Sequence, residues 1–226
     1  MKIFIQNIKK IMAEKDLSIE QIAALCKLDV ITFQSFLSET KYPKPSELVN
    51  IAANLKISFE KLLLNSCNIP ENFNCKLLAL DIDGVMTDAG MYVTSDQKEF
   101  KKFNAHDGIA VRETLKKNIE VRFISNGLME DLIKYRAEMI GVKNLYVGNE
   151  KKLPVLEKWC SEMNISLQQV AYIGDDINDL EVIRKVGLSA CPANAMPAVK
   201  AEVNIILNKN GGEGCVREFV EIMNWM

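Results

Sequence analysis

The last two thirds of the chain alternates short apolar runs with segments of helical periodicity. The apolar runs lie near 77–82, 121–125, 144–148, 170–174 and 188–191. Fully apolar runs of this length are typical of strands that are buried on both faces of a parallel sheet. Strands that alternate with helices predict an α/β domain in which a doubly wound parallel sheet is covered by helices on both faces.

The first third of the chain has a different pattern, made of short amphipathic helices. Residues 5–12 carry an apolar stripe at helical spacing, and Ser18 is the predicted N-cap of a helix over 19–26. Further helices are predicted over roughly 30–38, 46–55 and 59–64, with Ser46 and Ser58 as N-caps of the last two. This pattern predicts a small all-α domain over 1–66, a linker over 67–75 and the α/β domain over 76–226.

Composition and charge exclude several classes of protein. The 226 residues are 48% hydrophobic and 26% charged, as in ordinary soluble globular proteins. The net charge of −2 argues against nucleic acid or an anionic membrane as the main partner of the whole chain. No apolar run approaches membrane-spanning length, and the N-terminus lacks a signal-peptide core. The 6 cysteines show no Cys-x-x-Cys pair and there is 1 His, so we expect reduced thiols in a cytoplasmic protein and no zinc site.

The first apolar run of the α/β domain ends in two carboxylates. Asp81 and Asp83 stand two residues apart, and Gly84 then breaks the strand. Residues i and i+2 of a strand share a face, so both acids can converge on one metal ion or phosphate at the carboxyl edge of the sheet. One carboxylate can attack phosphorus to form an aspartyl-phosphate, while the other protonates the leaving oxygen. An isolated Asp-x-Asp-Gly is more often a solvated turn, so this interpretation needs partners elsewhere in the chain.

A second acidic group follows the predicted strand at 170–174. Asp175, Asp176 and Asp179 would repel one another at the end of one apolar strand without a cation. An all-oxygen set with no His or Cys suits a hard ion, and Mg²⁺ needs only one or two carboxylates plus phosphate. Capping of a helix accounts for one or two of these acids, but not for three beside a matching Asp-x-Asp strand. We therefore expect a Mg²⁺ site.

Two further strand ends carry groups that can bind phosphate. Ser125 and Asn126 lead into a turn at Gly127, where a hydroxyl and backbone N–H groups can hold a phosphate. Lys152 follows the predicted strand at 144–148 and can offset charge on a phosphoryl group. Each of these is ordinary alone, but the order Asp-x-Asp, Ser, Lys, Gly-Asp-Asp-x-x-Asp is highly specific.

This order of motifs resembles that of the haloacid dehalogenase superfamily of phosphohydrolases, which have a Rossmann-like fold. From about Lys76 onward the chain is similar to one branch without a cap domain, the 3-deoxy-D-manno-octulosonate 8-phosphate phosphatases, which also includes phosphatases of nine-carbon sialic-type sugar acids. The segment 90–108 resembles the flap hairpin of that branch, and 187–195 and 211–218 resemble its closing segments. The resemblance implies a cytoplasmic, Mg²⁺-dependent phosphatase of a 3-deoxy-2-keto sugar acid. It also implies a homotetramer whose neighbouring subunits close the site.

The resemblance assigns roles to single positions. Asp81 matches the nucleophile, and Asp83 matches the general acid/base whose backbone carbonyl also contacts the metal ion. Asp175 matches the remaining metal ligand. The positions that match the phosphate-binding segment are Ser125, Asn126 and Lys152. The positions that match substrate-binding residues are Asn104, His106, Asp107, Gly108, Arg112 and Arg136, and His106 replaces an Arg of many relatives.

Two departures from the branch leave the sugar acid open. Relatives carry Thr-Gly-Arg or Thr-Gly-Glu where this chain has Ser125-Asn126-Gly127, so a long polar side chain aimed at the substrate is missing. The spacing from Ser125 to Arg136 is also one residue longer than in the octulosonate enzymes. The catalytic set is unaffected, so we expect hydrolysis of an eight- or nine-carbon sugar acid phosphate.

The first domain resembles the helix-turn-helix domain of phage repressors, through the stretches 17–23, 44–52 and 57–58. The turn position that usually holds Gly is Lys27, and the predicted recognition helix at 30–38 contains no Lys or Arg to meet phosphates or guanine. Residues 1–66 carry 9 Lys and no Arg against 7 acids, a net charge of only +2. We favour packing or oligomer contacts for this domain. The alternative is a DNA-binding regulator whose phosphatase domain senses a sugar phosphate.

Overall fold

The structure, a computed structural model, describes most of the chain as two compact units. The described residues are 2–57, 59–63, 69–70, 72–96, 98–127 and 129–226. The two units are Met1–Cys67 and Asn68–Met226. Ser58 and Leu64, which were predicted to start and end the fifth helix, and the start of the predicted linker lie outside the described residues. In the described part of the chain, no helix has the length and apolar character needed to cross a membrane.

The first unit is all-α. Its helices are α1 (Lys2–Glu14), α2 (Ile19–Leu25), α3 (Val30–Leu37), α4 (Pro45–Leu55) and α5 (Phe59–Leu63). Ser18 caps α2 as predicted, because its Oγ accepts a hydrogen bond from the backbone N–H of Gln21 at 3.2 Å. Apolar side chains of the helices, including Ile8, Phe33 and Ile51, form one buried core.

The predicted N-cap of α4 is wrong by two residues. Ser46 does not cap this helix, because Pro45 already occupies the first helical position. Proline suits that position, where its fixed φ fits the helix and its missing N–H leaves no donor unpaired. Lys44 is the N-cap residue, and its backbone N–H donates to the carboxylate of Glu47 at 2.6 Å.

The second unit contains a parallel sheet of six strands in the order β5-β4-β1-β6-β7-β8. The strands in chain order are β1 (Leu77–Leu80), the hairpin strands β2 (Tyr92–Val93) and β3 (Glu99–Phe100), β4 (Glu120–Ser125), β5 (Asn144–Val147), β6 (Val170–Ile173), β7 (Leu188–Cys191) and β8 (Ile205–Ile206). The predicted doubly wound sheet and the short hairpin are confirmed. Sequence reasoning missed β8, because two residues are too few to show a strand pattern.

Helices cover both faces of this sheet. They are α6 (Ala105–Lys116), α7 (Glu130–Ile140), α8 (Lys152–Met163), α9 (Leu180–Ile183), α10 (Pro197–Lys200) and α11 (Cys215–Ile222). Side chains of α6, α7 and α11 belong to one apolar cluster, and those of α8, α9 and α10 belong to a second. The strands β1, β6 and β7 are buried along their whole length. Their carboxyl ends therefore meet at one edge of a rigid scaffold, where the candidate site lies.

Part of the predicted linker packs within the second unit. Phe73 lies against the apolar cluster of α6, α7 and α11, and Cys75 is buried in it. The backbone N–H of Lys76 donates to the carbonyl of Gln169 at 2.8 Å, just before β1 begins.

Candidate active site

A tight turn after β1 brings Asp81 and Asp83 to the carboxyl edge of the sheet. The strand ends at Leu80, and residues 82–86 form a single π-type turn, so the strand is shorter than the predicted 77–82. Gly84 in this turn has φ +89°, a conformation that side chains rarely adopt. A Cβ atom at Gly84 would also lie 2.0 Å from Oδ2 of Asp175. Glycine is therefore required for Asp175 of the β6 loop to approach the β1 turn.

Lys152 forms ion pairs with an acid at the end of β1 and with an acid in the loop after β6. It is the first residue of α8, and its Nζ lies 2.9 Å from Oδ2 of Asp81 and 2.7 Å from Oδ1 of Asp179. Its side chain is fully buried. Burial on its own would lower the pKa of Lys152, but the carboxylates of Asp81 and Asp179 outweigh burial and raise that pKa above its usual value. Lys152 therefore carries a fixed positive charge beside Asp81.

Asp179 is a buried organiser of the loop after β6. Its Oδ1 accepts hydrogen bonds from Nζ of Lys152 and from the hydroxyl of Tyr172. Its Oδ2 accepts from the backbone N–H groups of Asp175 at 2.8 Å and Asp176 at 3.2 Å. All four bonds hold the loop and Lys152 in place, which leaves Asp179 poorly suited to bind a metal ion. The chain pattern pointed to Asp179 as an acid near Asp175, but gave no signal for the role of Tyr172.

Asp81 and Asp175 remain as carboxylates with capacity to bind a cation. Oxygen atoms of Asp81, Asp175 and Asp179 lie within 4.8 Å of one another. Oδ1 of Asp175 is buried and has no hydrogen-bond partner among the described residues. Burial, followed by the nearby charge of Asp179, raises the pKa of Asp175 to about 7 and raises the pKa of Asp81 well above its usual range. An unpaired buried oxygen in an all-carboxylate set fits a hard cation such as Mg²⁺.

The segment after β4 supplies a buried hydroxyl. Oγ of Ser125 accepts a hydrogen bond from the backbone N–H of Gly127 at 2.9 Å. Asn126 uses its side chain elsewhere, because its Nδ2 donates to the carbonyls of Gly148 at 2.8 Å and Glu150 at 3.0 Å. The side chain of Asn126 thus ties the β4 and β5 loops together, which leaves its backbone N–H for the predicted contact with phosphate.

Gly127 lies close to Asp83, which is in the turn after β1. A Cβ atom built on Gly127 would lie 3.0 Å from Oδ2 of Asp83 and 3.1 Å from Oγ of Ser125. Both contacts are tighter than ordinary van der Waals contact. A side chain at position 127 would therefore require Asp83 or Ser125 to shift.

The residues predicted to bind substrate gather around the start of α6. Asn104 is the N-cap of this helix, since its Oδ1 accepts from the backbone N–H of His106, whose side chain is exposed. Nη2 of Arg136 donates to the carbonyl of Asn104 at 3.0 Å, and its guanidinium lies over the ring of Phe103. Gly108 gives Arg136 room, because a Cβ atom there would lie 2.7 Å from Nη2.

Asp107 and Arg112 have other partners. Asp107 is fully buried, and its Oδ1 accepts a hydrogen bond from the backbone N–H of Arg217 at 2.8 Å, at the start of α11. Arg112 is exposed and donates to the carbonyl of Met139 at 3.0 Å. Within the described part of the chain, the six predicted substrate-binding residues form no hydrogen bond or ion pair with Asp81, Asp175 or Asp179.

A glycine-rich segment packs against the turn after β1. The backbone N–H of Gly212 donates to the carbonyl of Val85 at 2.9 Å, and a Cβ atom on Gly211 would lie 1.8 Å from the carbonyl oxygen of Gly84. Asn104 also contacts this segment, through the carbonyl of Gly212 at 3.5 Å. The segment supports the turn after β1 directly, and through Asn104 it connects that turn with the start of α6.

One lysine at the site was not found from the sequence. Lys101 follows β3, and its Nζ lies 2.5 Å from Oδ1 of Asp83. The chain offers 28 basic residues of similar appearance, so only the fold shows which one meets Asp83.

Comparison with known proteins identifies the family. The family model of haloacid dehalogenase-like hydrolases matches residues 87–219, which is more than half of the chain. The chain belongs to the haloacid dehalogenase-like hydrolases. Asp81 and Asp83 stand just before the matched part, and Ser125, Lys152 and Asp175 lie within it.

Relatives of this hydrolase match about two thirds of its length. It is 37% identical over 150 residues to the 3-deoxy-D-manno-octulosonate 8-phosphate phosphatase KdsC of Salmonella typhi, an alignment that spans 66% of this chain and 79% of the relative. A probable YrbI family phosphatase from Pseudomonas syringae has a TM-score of 0.64 at 39% identity, over 66% of this chain and 84% of that one. The octulosonate phosphatase of Moraxella catarrhalis, solved with magnesium, phosphate and KDO, has a TM-score of 0.64 at 29% identity, over 67% and 87%.

Proposed function

We propose that this hydrolase is a Mg²⁺-dependent phosphomonoesterase that acts through an aspartyl-phosphate. The proposed substrate is a phosphorylated 3-deoxy-2-keto sugar acid, with 3-deoxy-D-manno-octulosonate 8-phosphate preferred. The observation that carries the proposal is the arrangement of the buried Asp81 and Lys152 beside the half-buried Asp175 at the carboxyl edge of the sheet. Relatives with 36–37% identity that are named as phosphatases of this ester support the choice of substrate.

The proposed reaction uses two carboxylates in sequence. A carboxylate oxygen of Asp81 attacks phosphorus, the bond between phosphorus and the ester oxygen breaks, and Asp83 gives a proton to the leaving oxygen. Asp83 then takes a proton from the water that attacks phosphorus of the aspartyl-phosphate, which releases phosphate and restores Asp81. Lys152 and Ser125 offset and hold charge on the phosphoryl group. The groups that would hold Mg²⁺ are the side chains of Asp81 and Asp175 and the backbone carbonyl of Asp83, and the ion supplies positive charge that lets a phosphate dianion enter an acidic site.

Substrate comparison tests this proposal. Phosphate release should be fastest from the octulosonate 8-phosphate, slower from nine-carbon sialic-type 9-phosphates and slowest from simple hexose phosphates, and EDTA should abolish all of it. The alternative function is a phosphatase of a nine-carbon acid, and it would show as the reverse order of the first two. Equal rates in EDTA and in Mg²⁺ would contradict the proposed metal dependence.

We also propose a cytoplasmic homo-oligomer, a tetramer by resemblance. The hairpin of β2 and β3 supports it, because Met91, Val93 and Phe100 expose large apolar side chains there. Apolar groups in one exposed hairpin favour contact with another subunit. Sedimentation should therefore give a mass well above 25.5 kDa.

For the first unit we propose a domain of the helix-turn-helix type that makes packing or oligomer contacts. Lys27, at the turn between α2 and α3, has φ +53°, the conformation for which Gly is the usual residue. The exposed side chains of α3 are those of Ile31 and Gln34, which are uncharged. DNA binding is the alternative, and a steep loss of DNA affinity with added salt would support it against our proposal.

A further inference from the structure

Lys101 connects the β2–β3 hairpin with the catalytic turn. It follows the last residue of β3 directly, and its side chain is only 7% exposed. Its Nζ lies 2.5 Å from Oδ1 of Asp83 and 3.4 Å from Oε1 of Glu99. A lysine is rarely buried unless its charge is paired, and here both partners are carboxylates. The contact with Asp83 is therefore a fixed feature of the site.

This contact decides which oxygen of Asp83 is free. Oδ1 accepts a charge-assisted hydrogen bond from Lys101, so Oδ2 is the oxygen that remains to exchange a proton. Oδ2 lies on the side of the predicted phosphate-binding segment. A Cβ atom built on Gly127 would be 3.0 Å from Oδ2 of Asp83 and 3.1 Å from Oγ of Ser125, so Oδ2 and this hydroxyl face the same place. Asp83 is thus held by one oxygen from the hairpin side and presents the other toward the place where a phosphate would bind.

We propose that Lys101 is a positioning residue that holds Asp83 by Oδ1 and directs Oδ2 at the leaving oxygen of the substrate. This inference rests on the proposed function, in which Asp83 protonates that oxygen. Glu99 completes the arrangement, because it gives the ammonium of Lys101 a second partner and ties its position to β3. The hairpin therefore takes part in orienting the general acid.

The test uses two esters that differ in their need for a general acid. An alkyl phosphate, such as the sugar acid ester, leaves as a strongly basic oxygen and needs a proton, whereas 2,4-dinitrophenyl phosphate leaves without one. The value of kcat/KM reports the steps up to cleavage of the ester bond, so it measures how much that cleavage depends on proton donation to the leaving oxygen. General acid catalysis contributes about 10²–10⁴-fold, and misplacing the acid forfeits part of that.

Lys101→Met should therefore lower kcat/KM about 10–100-fold for the sugar acid ester and less than about threefold for the dinitrophenyl ester. Lys101→Arg, which keeps a donor with positive charge, should recover most of the loss. The matched control is Lys102→Met, since Lys102 is exposed and pairs with Asp88 rather than with the site. If Lys101→Met does not fold, Lys101→Gln carries the same prediction.

An equal loss for both esters, or no loss for either, would overturn the role of Lys101. Loss of both activities in Lys102→Met would also overturn it, because the effect would then belong to the hairpin as a whole. A wild type that cleaves neither ester in Mg²⁺ would instead refute the proposed function, so the two failures are distinguishable.

Discussion

The buried carboxyl of Asp107 predicts how strongly the free energy of unfolding depends on pH. This carboxyl is fully buried at the start of α11, and its Oδ2 has no hydrogen-bond partner among the described residues. Burial raises the pKa of Asp107 from its ordinary 3.8 to about 6, although the backbone N–H groups of Arg217, Gly214 and Val216 act in the opposite direction. At neutral pH the folded protein therefore holds a charge that burial disfavours.

The sign of the effect on stability follows from proton binding. Between pH 3.8 and about 6 the folded state binds more protons at Asp107 than the unfolded state does, so the free energy of unfolding falls as pH rises through this window. Well below pH 3.8 the carboxyl is neutral in both the folded and the unfolded state, so its titration does not change the free energy of unfolding. Each pKa unit corresponds to about 1.4 kcal/mol, so the cost above pH 6 reaches about 3 kcal/mol.

Asp107→Asn isolates this contribution, because the neutral amide cannot titrate and other groups cancel in the difference. The assay is urea unfolding at pH 4, 5, 6 and 7.5, followed by tryptophan fluorescence, since Trp225 packs on Phe219 of α11. The free energy of unfolding of the wild type, minus that of the variant, should fall by about 2.4 kcal/mol from pH 4 to 7.5, because about 0.6 kcal/mol of the full cost is already present at pH 4. A flat difference would refute the reasoning. A rising difference would show that the three N–H groups stabilise the charge more than burial opposes it.

Three further predictions concern the site and the domain partition. Asp175→Ala should sharply raise the Mg²⁺ concentration needed for half-maximal activity, while the exposed Asp176→Ala should change it little; equal requirements would remove Asp175 from the metal site. Gly127→Arg should lower kcat for eight- and nine-carbon esters alike, because its Cβ would crowd Oδ2 of Asp83, and a selective gain for one ester would show that the missing arginine sets specificity instead. Deleting residues 1–66 should leave phosphatase activity largely intact and change the oligomeric mass, and inactivity of a folded, assembled truncation would contradict the two-domain partition.

The parts of the fold that follow from local pattern were predictable. Apolar runs that end in Asp81, Ser125 and Asp175 indicate strands whose carboxyl ends meet at one edge, and the parallel sheet follows from that alternation. The start of α4 was also within reach, because proline favours the first helical position and Pro45 precedes Ser46.

The connections between distant segments were not predictable from one chain. Asp179 looked like a further acid near the metal site, yet Tyr172 and Lys152 occupy its Oδ1. The turn at Asn126 was predicted to bind phosphate through backbone N–H groups, but no pattern in the sequence indicated that its side chain donates to carbonyls of the β5 loop. Lys101 lies 18 residues from Asp83, and no spacing rule links a hairpin lysine with a catalytic turn.

Covalent mapping during turnover tests the central claim, the aspartyl-phosphate on Asp81, most directly. Enzyme quenched in acid while cleaving its sugar acid ester in Mg²⁺ is reduced with borohydride, which converts an aspartyl-phosphate to homoserine, and its peptides are sequenced by mass spectrometry. We predict homoserine at position 81, absent without substrate and absent in Asp81→Asn, which should lose several orders of magnitude in kcat. Homoserine at another acid, or an Asp81→Asn enzyme that keeps a tenth of wild-type activity, would contradict the account.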